Sequence, residues 1–406
     1  MGGADGDCDH REHPGGGAPG GRAALHRGGG HRRRGEVSAL RVRALAQGWG
    51  RVADVATRLL TDDSHLTFQL AVHADGELVV DVAAGAGYDD DSRPLHLQAS
   101  ATKGVAGVAL ALALQDADVR AEEPVARFWP EFAARGKEGV TIAQLMSHQV
   151  GLLDTTGRYP LAAWGGDRAV AADLAAQAPA WVAGAGHGYH ALSIGPLADE
   201  LVRRLVGRPL IDQYEDRVRG SGDVDFWIRL PREQYHRLNR VHVPTQCPAQ
   251  PLKGLADLAL GRLDAAGPGN TWIQSHELLE AGAASVSGAG SALGLSQVYA
   301  RAIGADGIEP LLRPDVVADV SQLRTSGPDL VLGVETGFAV LFQKPSPRYD
   351  FGTEAAFGHD GAGGALGFAD PGTGVAVGFT TPEVPVPAGA DTRALIFAQL
   401  VRRLRL

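Results

Sequence analysis

The chain contains 406 residues, of which 44% are hydrophobic and 21% are charged, and its formal net charge is -9. A chain of this length and composition can bury a sizeable core and is ordinarily globular. The moderate excess of acidic residues provides no basic face, which argues against a nucleic-acid partner. Only two cysteines occur, Cys8 and Cys247. Since Cys8 lies in a polar tail, we expect no structural disulfide.

The N-terminal segment, residues 1–38, is predicted to be disordered, and residues 39–406 are predicted to form a single domain. The segment is rich in glycine, arginine and histidine, and such a composition cannot bury enough apolar surface to offset the entropy of ordering. Cys8, His10 and His13 are spaced as metal ligands can be, but we interpret them as a chance cluster. The sequence thus predicts no metal site and no cofactor.

Neither a membrane anchor nor a secretion signal is expected from the hydropathy pattern. No continuous apolar stretch follows the basic residues Arg32–Arg34, as a signal peptide would need. The apolar run Val105–Leu114 is shorter than the roughly 20 residues that cross a bilayer, so we interpret it as a buried core helix. From these two observations the sequence predicts a cytoplasmic protein with no membrane partner.

The elements before this core helix are predicted to be a helix and a hairpin. Residues Ala44–Leu60 carry apolar side chains at roughly helical spacing, which predicts the first helix. Two alternating runs within Phe68–Val82 are joined by Asp75-Gly76, a dipeptide that suits a tight turn with positive φ at both positions. A polar loop then leads to the core helix.

The remaining pattern is helical from about residue 120 to about residue 325, and strands return after it. The clearest helices are predicted at Ile142–Ser147, Arg168–Ala178, Ile194–Val206, Leu293–Ile303 and Arg393–Leu404. Strands are predicted within Val331–Phe342, Ala356–Gly358, Ala365–Asp370 and Gly374–Thr380. Strands at both ends indicate an α/β (α+β) fold, in which an antiparallel sheet built from both chain ends is flanked by helices. An all-helical lobe is inserted, and the active site is expected in the cleft between lobe and sheet.

Ser100 and Lys103 stand at the start of the core helix, in the sequence Ser-Ala-Thr-Lys. Residues three apart on a helix share nearly the same face, so the lysine amine can reach the serine hydroxyl. The free N–H groups of the first helical turn favour developing negative charge and disfavour a protonated lysine. The pair therefore has the arrangement of an activated nucleophile. The alternative is an N-cap serine beside an ordinary solvated lysine.

Two further segments carry the same chemistry. Gly188-Tyr-His-Ala-Leu-Ser supplies Tyr189, and Phe357-Gly-His-Asp-Gly-Ala-Gly-Gly supplies His359, Gly361 and Ala362. With the segment around Ser100, these motifs resemble the serine hydrolases related to class C β-lactamases and penicillin-binding proteins, and among them the cytoplasmic esterase branch. The resemblance covers roughly residues 40–405 and implies a β-lactamase-like fold.

The resemblance also implies a role for each motif residue. Ser100 would be the nucleophile, and Lys103 and Tyr189 the general base and acid. Which of these two activates Ser100 is left open, because they can titrate as one coupled unit. The backbone N–H groups of Ser100 and Ala362 would form an oxyanion hole. Substrate contacts are implied for His359 and Gly361.

Other histidines near these motifs are interpreted differently. His148 is interpreted as a structural residue of the helical lobe, although it could be mistaken for a catalytic base. His187 and His190 flank Tyr189 and are interpreted as residues that shape the pocket.

Two departures from the family pattern indicate the substrate class. Members that recognise penicillin usually carry an asparagine two residues after the tyrosine, where this chain has Ala191, and a lysine where it has His359. Both losses favour esters over β-lactams. The stretch that begins at Trp181 also lacks the Pro-Gly-Thr common in the esterases, which weakens the assignment of Tyr189.

The sequence therefore predicts a serine hydrolase, a carboxylesterase that cleaves small acyl esters through an acyl-enzyme on Ser100. Alternatives are an acyltransferase, a β-lactamase or D-Ala peptidase of the same fold, and a degenerate member that only binds a ligand. An α/β-hydrolase would need a Gly-x-Ser-x-Gly elbow, which the chain lacks. The expected partner is a small-molecule ester. The sequence contains no pattern that indicates an oligomeric state.

Overall fold

The computed structural model describes residues 39–85, 88, 93–220, 224–243, 252–266, 272 and 274–406. The predicted disorder of residues 1–38 and the cluster of Cys8, His10 and His13 lie outside the described residues, as does Cys247. The domain boundary at residue 38 therefore stays a prediction. No helix in the described part of the chain combines the length and hydropathy needed to cross a membrane.

The described part of the chain contains both helices and strands. The helices are α1 Gly50–Asp62, α2 Ala101–Ala117, α3 Val125–Phe128, α4 Ile142–Met146, α5 Arg168–Ala176, α6 Ile194–Val206, α7 Leu210–Tyr214, α8 Leu255–Ala266, α9 His276–Ala281, α10 Ala292–Ile303, α11 Pro314–Val320 and α12 Thr392–Arg405. The strands are β1 Leu40–Leu45, β2 Phe68–Ala74, β3 Glu77–Ala84, β4 His96–Ala99, β5 Phe226–Trp227, β6 Gly288–Gly290, β7 Thr325–Pro328, β8 Glu335–Phe338, β9 Phe357–Asp360, β10 Gly363–Gly364, β11 Leu366–Asp370, β12 Val375–Thr380 and β13 Gly389–Ala390.

A six-stranded sheet forms the framework, in the order β1-β3-β2-β12-β11-β9. Every neighbouring pair in it is antiparallel, and the two chain ends meet where β2 pairs with β12, with Leu70 opposite Phe379. All residues of β2 are buried because both faces of the sheet are covered. Helices α1 and α12 cover one face, and α2 and α10 cover the other. The predicted sheet built from both chain ends is confirmed.

The inserted region between the N-terminal and C-terminal strands is mainly helical, and it also contains short strands. β5 and β6 lie within it and pair with β4, the strand that leads into α2. The lobe is thereby tied by backbone hydrogen bonds to the segment that carries Ser100. The sequence did not indicate these strands, since β5 has two residues and β6 is a Gly-Ala-Gly segment.

Near the N-terminus the structure corrects one element and confirms another. The helix predicted at Ala44–Leu60 begins only at Gly50, and Leu40–Leu45 form an edge strand that pairs with β3. This pairing overrides a periodicity that looked helical. The hairpin turn is confirmed, with φ of 54° at Asp75 and 86° at Gly76.

The predicted core helix is confirmed as α2, whose residues Ala101 to Leu114 are all buried. Glycine allows its neighbours to approach closely, because a Cβ at Gly104 would stand 2.0 Å from the Tyr299 hydroxyl. Strand β8 is shorter than the prediction of Val331–Phe342, since Glu335–Phe338 alone are extended there.

Candidate active site

Ser100 lies between the end of β4 and the start of α2, at a strained point of the backbone. The preceding residue, Ala99, has a φ of 45°, a conformation that residues other than glycine rarely adopt. Ser100 occupies the N-cap position, but its side chain makes no capping hydrogen bond. The hydroxyl instead lines a cavity. The strained turn thus presents the serine side chain to a ligand site.

Lys103 is completely buried, and its amine has three partners. Nζ lies 3.2 Å from Ser100 Oγ and 2.8 Å from the carbonyl oxygens of Ala191 and of Ser285. Burial lowers the pKa of Lys103 well below its ordinary value, although the charge of Asp360 partly opposes this. The amine is therefore held in a setting that favours its neutral form.

The contacts of Lys103 suit a neutral amine as well as an ammonium. A neutral amine has two N–H donors and one lone pair, and here two carbonyl acceptors and one hydroxyl surround Nζ. In a neutral amine the carbonyls of Ala191 and Ser285 would accept the two N–H groups and the lone pair would face the hydroxyl of Ser100. In an ammonium the third N–H would donate to Ser100 Oγ. Sequence reasoning did not identify either carbonyl, because backbone acceptors have no residue-type signature.

Tyr189 is the third member of the cluster and stands above the lysine amine. Lys103 Nζ lies 4.8 Å from the centroid of the tyrosine ring. Burial raises the pKa of Tyr189 well above its ordinary value, and the Asp360 carboxylate adds to the rise, while a hydrogen bond with the Ser100 side chain opposes it. The hydroxyl of Tyr189 is therefore a phenol at neutral pH.

Asp329 fixes the loop that carries Tyr189, and sequence reasoning missed it. Its Oδ1 accepts hydrogen bonds from the backbone N–H groups of Tyr189 at 3.1 Å and of Val331 and Leu332 at 2.9 Å. The aspartate is buried, with 2% of its surface exposed. Asp329 thus joins the loop that carries Tyr189 to the segment just after Asp329, and that segment supplies Leu332 to the cavity wall.

The neighbouring histidines are engaged in the scaffold. The His190 N–H donates to His148 Nδ1 at 3.1 Å, and the ring of His148 lies 5.0 Å from that of Tyr189. His190 accepts from the Leu152 N–H at 3.0 Å through Nε2. His187 bonds to threonine hydroxyls on β7 and β8. Neither His187 nor His190 lines the cavity, so they support the Tyr189 loop from behind.

The third motif lies at the end of β9. His359 is 1% exposed, its Nδ1 bonds to the backbone oxygen of Asp360 at 2.7 Å, and its Nε2 has no partner in the described part of the chain. Burial lowers the pKa of His359 to about 4, so the ring is neutral at pH 7. Its centroid lies 6.1 Å from that of Tyr189. The histidine thus stands behind the tyrosine rather than on the cavity wall.

Gly361 has a packing role at this point. A Cβ at this position would stand 2.0 Å from the Gln98 backbone oxygen and 3.2 Å from the Ala101 nitrogen. The absence of a side chain lets the β9 turn press against the junction that carries Ser100. Gly361 therefore contacts Gln98 and not the cavity, unlike its neighbour Ala362.

Ser100 and Ala362 both line the cavity. Neither backbone N–H donates a hydrogen bond to another described residue. Two free amide donors from different segments thus border the same space as the Ser100 hydroxyl. Two such donors can together stabilise a negative charge that develops on a carbonyl oxygen.

The cavity itself has a volume of about 250 Å³. One part of its wall is apolar and another part is polar. The apolar part comprises Leu252, Leu260, Leu263, Trp272 and Leu332. The polar part comprises Gln343, Arg348, Tyr349 and Asp360. A larger depression of about 430 Å³ between Trp227 and Glu280 contains none of the motif residues, so we place the site in the smaller cavity.

Comparison with known proteins identifies the family of the chain. The Beta-lactamase family profile matches residues 52–400. The chain is 31% identical to Esterase/beta-lactamase LipL of Mycobacterium tuberculosis, over 74% of this chain and 73% of that protein. The structure of EstA from Arthrobacter nitroguajacolicus Rue61a is 32% identical, with a TM-score of 0.81, over 90% of this chain and 98% of that one. A family VIII carboxylesterase is 26% identical, with a TM-score of 0.78, over 90% of this chain and 100% of that one. The resemblance indicated by the motifs is confirmed, and the chain is an enzyme of the beta-lactamase family of serine hydrolases.

Proposed function

We propose that the protein is a carboxylesterase that cleaves small acyl esters through an acyl-enzyme on Ser100. The observation that carries the proposal is the Lys103 amine, which is buried, bonded to two carbonyls and 3.2 Å from the Ser100 hydroxyl. A ligand-binding protein would gain nothing from a buried lysine next to a serine, because burying an amine costs free energy. The relatives named as esterases support the same function.

In the first step Ser100 attacks the ester carbonyl. Oγ forms a bond to the carbonyl carbon while its proton passes to the Lys103 amine, whose lone pair faces it. The carbonyl oxygen becomes an oxyanion and is stabilised by the amides of Ser100 and Ala362. Each such donor typically lowers the barrier by about 3 kcal/mol. Lys103 is thereby proposed as the base that activates the serine.

Tyr189 is proposed as the acid. As a phenol it can donate its proton to the ester oxygen of the leaving alcohol when the carbon–oxygen bond breaks. The Lys103 ammonium then returns a proton to the phenolate, which restores both groups. Water next attacks the acyl group, gives up a proton to the Lys103 and Tyr189 pair, and releases Ser100 with its hydroxyl restored.

An ester substrate is favoured over a β-lactam by the side chains at two positions. Ala191 contributes a backbone carbonyl to Lys103 but has no side-chain amide to offer a substrate. His359 is buried and neutral, and therefore does not supply the positive charge that a lysine would supply there. The cytoplasmic location predicted from the sequence is kept as part of this proposal.

The test is the mass of the intact protein after brief exposure to a serine-directed fluorophosphonate, together with turnover of p-nitrophenyl butyrate. We expect one adduct on the wild type, none on Ser100→Ala, and loss of nearly all ester turnover in that variant. A Ser193→Ala variant is the matched control, because that serine also sits at a helix N-cap without a capping bond. Full turnover by Ser100→Ala would refute the nucleophile, and turnover of nitrocefin in preference to esters would refute the substrate class. Added alcohol acceptors would reveal acyl transfer as a mass-shifted product.

A further inference from the structure

Two charged side chains line the catalytic cavity, and their circumstances differ. Asp360 is 7% exposed, and its Oδ1 accepts a hydrogen bond from the Gln343 side chain at 2.7 Å. It also interacts with the hydroxyl of Tyr349. The carboxylate therefore has protein partners in the resting enzyme.

Arg348, in contrast, has no ionic partner among the described residues. Its guanidinium is partly buried and donates one long hydrogen bond, from Nη2 to the Ala388 oxygen at 3.3 Å. No carboxylate of the described residues lies within ion-pair distance of it. The nearest acid in sequence, Asp350, is bound by Arg402 at 2.6 Å. Most of the donors of Arg348 thus have no partner among the described residues.

Tyr349 contacts both Arg348 and Asp360. The Arg348 guanidinium lies over the Tyr349 ring, 4.8 Å from its centroid, while the hydroxyl of the same ring interacts with Asp360. Stacking on an aromatic face fixes the plane of a guanidinium, so that less side-chain entropy is lost when it binds a planar anion. The arginine is therefore an oriented fork of N–H donors on the cavity wall.

We propose that the substrate is an ester that also bears an ionised carboxylate group, which Arg348 binds through its guanidinium. This inference rests on the proposed esterase function. The rest of the substrate would pack against the apolar wall, where Leu260, Leu263 and Trp272 lie. A buried or half-buried arginine next to a reaction centre favours a carboxylate because two parallel N–H donors match its two oxygens.

The carboxylate can belong to the acyl or to the alcohol portion of the ester, and matched substrate pairs distinguish the two. For the acyl side, the pair is the p-nitrophenyl ester of monomethyl glutarate and the p-nitrophenyl ester of glutarate with its free carboxylate. For the alcohol side, the pair is methyl 4-acetoxybenzoate and 4-acetoxybenzoate. Within each pair the size is similar and the charge differs.

The measurement is the ratio of kcat/KM for the anionic ester to that for the neutral ester, in wild type and in Arg348→Gln. In at least one pair we expect the wild-type ratio to exceed that of Arg348→Gln by about 10-fold or more, the effect of one hydrogen bond to a charged group. The difference should lie mainly in KM, because the contact is present before and during the reaction. Arg348→Lys, which keeps the charge and loses the fork, should give an intermediate ratio.

Arg127→Gln is the matched control, since its guanidinium also lies over a neighbouring aromatic ring, that of Phe128, at 5.3 Å. Its substrate ratios should equal those of the wild type. Equal ratios in wild type and Arg348→Gln for both pairs would overturn the inference, and melting temperatures show whether each variant is folded.

A binding experiment keeps this inference separate from the esterase proposal. Calorimetry with the Ser100→Ala protein compares monomethyl glutarate with dimethyl glutarate and needs no turnover. Tighter binding of the anion, lost in the Ser100→Ala/Arg348→Gln double variant, would support the Arg348 site even if no ester were hydrolysed. Equal binding of both compounds, together with equal binding of 4-acetoxybenzoate and methyl 4-acetoxybenzoate, would refute the site while leaving the esterase proposal standing.

Discussion

Replacement of Gly361 by alanine should separate the two halves of the proposed oxyanion hole. The new Cβ would stand 2.0 Å from the Gln98 oxygen, whereas real Cβ contacts essentially never fall below 3.0 Å. Both atoms that meet are close to backbone, so no flexible side chain can give way. The β9 turn must therefore retreat by about 1 Å, and it carries the adjacent Ala362 amide with it.

The magnitude follows from the geometry that catalysis requires. A displacement of about 1 Å at a reacting group typically costs about 100-fold in rate. Loss of one oxyanion donor costs about 100- to 1,000-fold in kcat. We therefore expect Gly361→Ala to lower kcat for p-nitrophenyl butyrate by about 100-fold and to change KM much less, because the interaction strengthens only in the transition state.

Gly139→Ala is the control for the added methyl group, since nothing lies within 4 Å of a Cβ at Gly139. Steady-state kinetics of both variants would be measured beside their melting curves. A folded Gly361→Ala protein whose kcat stayed within about three-fold of the wild type would refute the role of the Ala362 amide. A variant that unfolds early would be assayed well below its melting temperature.

Two further predictions concern Lys103 and Asp329. Burial lowers the pKa of Lys103, so kcat/KM should fall as the pH falls through that pKa, because protonation removes the base. In Tyr189→Phe the same rising limb should persist at a lower rate, and its disappearance there would make the tyrosine the base instead. Asp329→Asn should lower kcat by about 10-fold with a smaller change in KM, because one carboxylate oxygen holds three N–H groups, that of Tyr189 among them. Unchanged kcat with a lowered melting temperature would give Asp329 a structural role alone.

The sequence predicted the contact between Ser100 and Lys103 because it is local. Residues three apart at a helix start are brought together by helix geometry alone, and the structure places their polar atoms 3.2 Å apart. Tyr189 is different, since no spacing rule brings a loop residue to that helix. Its place beside Lys103 followed from the resemblance, and the sequence could not supply the partners that hold it there.

The interactions that the sequence did not indicate are those that depend on backbone atoms or on distant pairing. Ala191 and Ser285 act on Lys103 through their carbonyls, so their side chains gave no indication. Gly361 was expected to meet substrate, yet its space is filled by the backbone oxygen of Gln98. Edge strand β1 was not predicted, and its last two residues were included in the predicted first helix, because the conformation of this strand depends on pairing with β3.

The same three groups around Lys103 can bond to the amine in both of its protonation states. This is one reason why the proposed mechanism suits a buried site. In the proposed resting state a neutral amine donates to the carbonyls of Ala191 and Ser285 and faces the Ser100 hydroxyl. After proton transfer the ammonium has three donors, and the carbonyls with Ser100 Oγ supply three acceptors. No group needs to turn when charge appears.

Charge separation is then the step for which the site is arranged in advance. Burial opposes the charged form of Lys103, of Tyr189 and of His359. In the proposed mechanism the attack of Ser100 creates an ammonium and an oxyanion together, close to each other and largely screened from water, where their attraction is stronger than in solvent. Because the dipoles that stabilise both charges are already fixed by the fold, the barrier contains little reorganisation. Burying Lys103 costs free energy in the folded chain, and the same burial favours the transition state of the proposed ester hydrolysis.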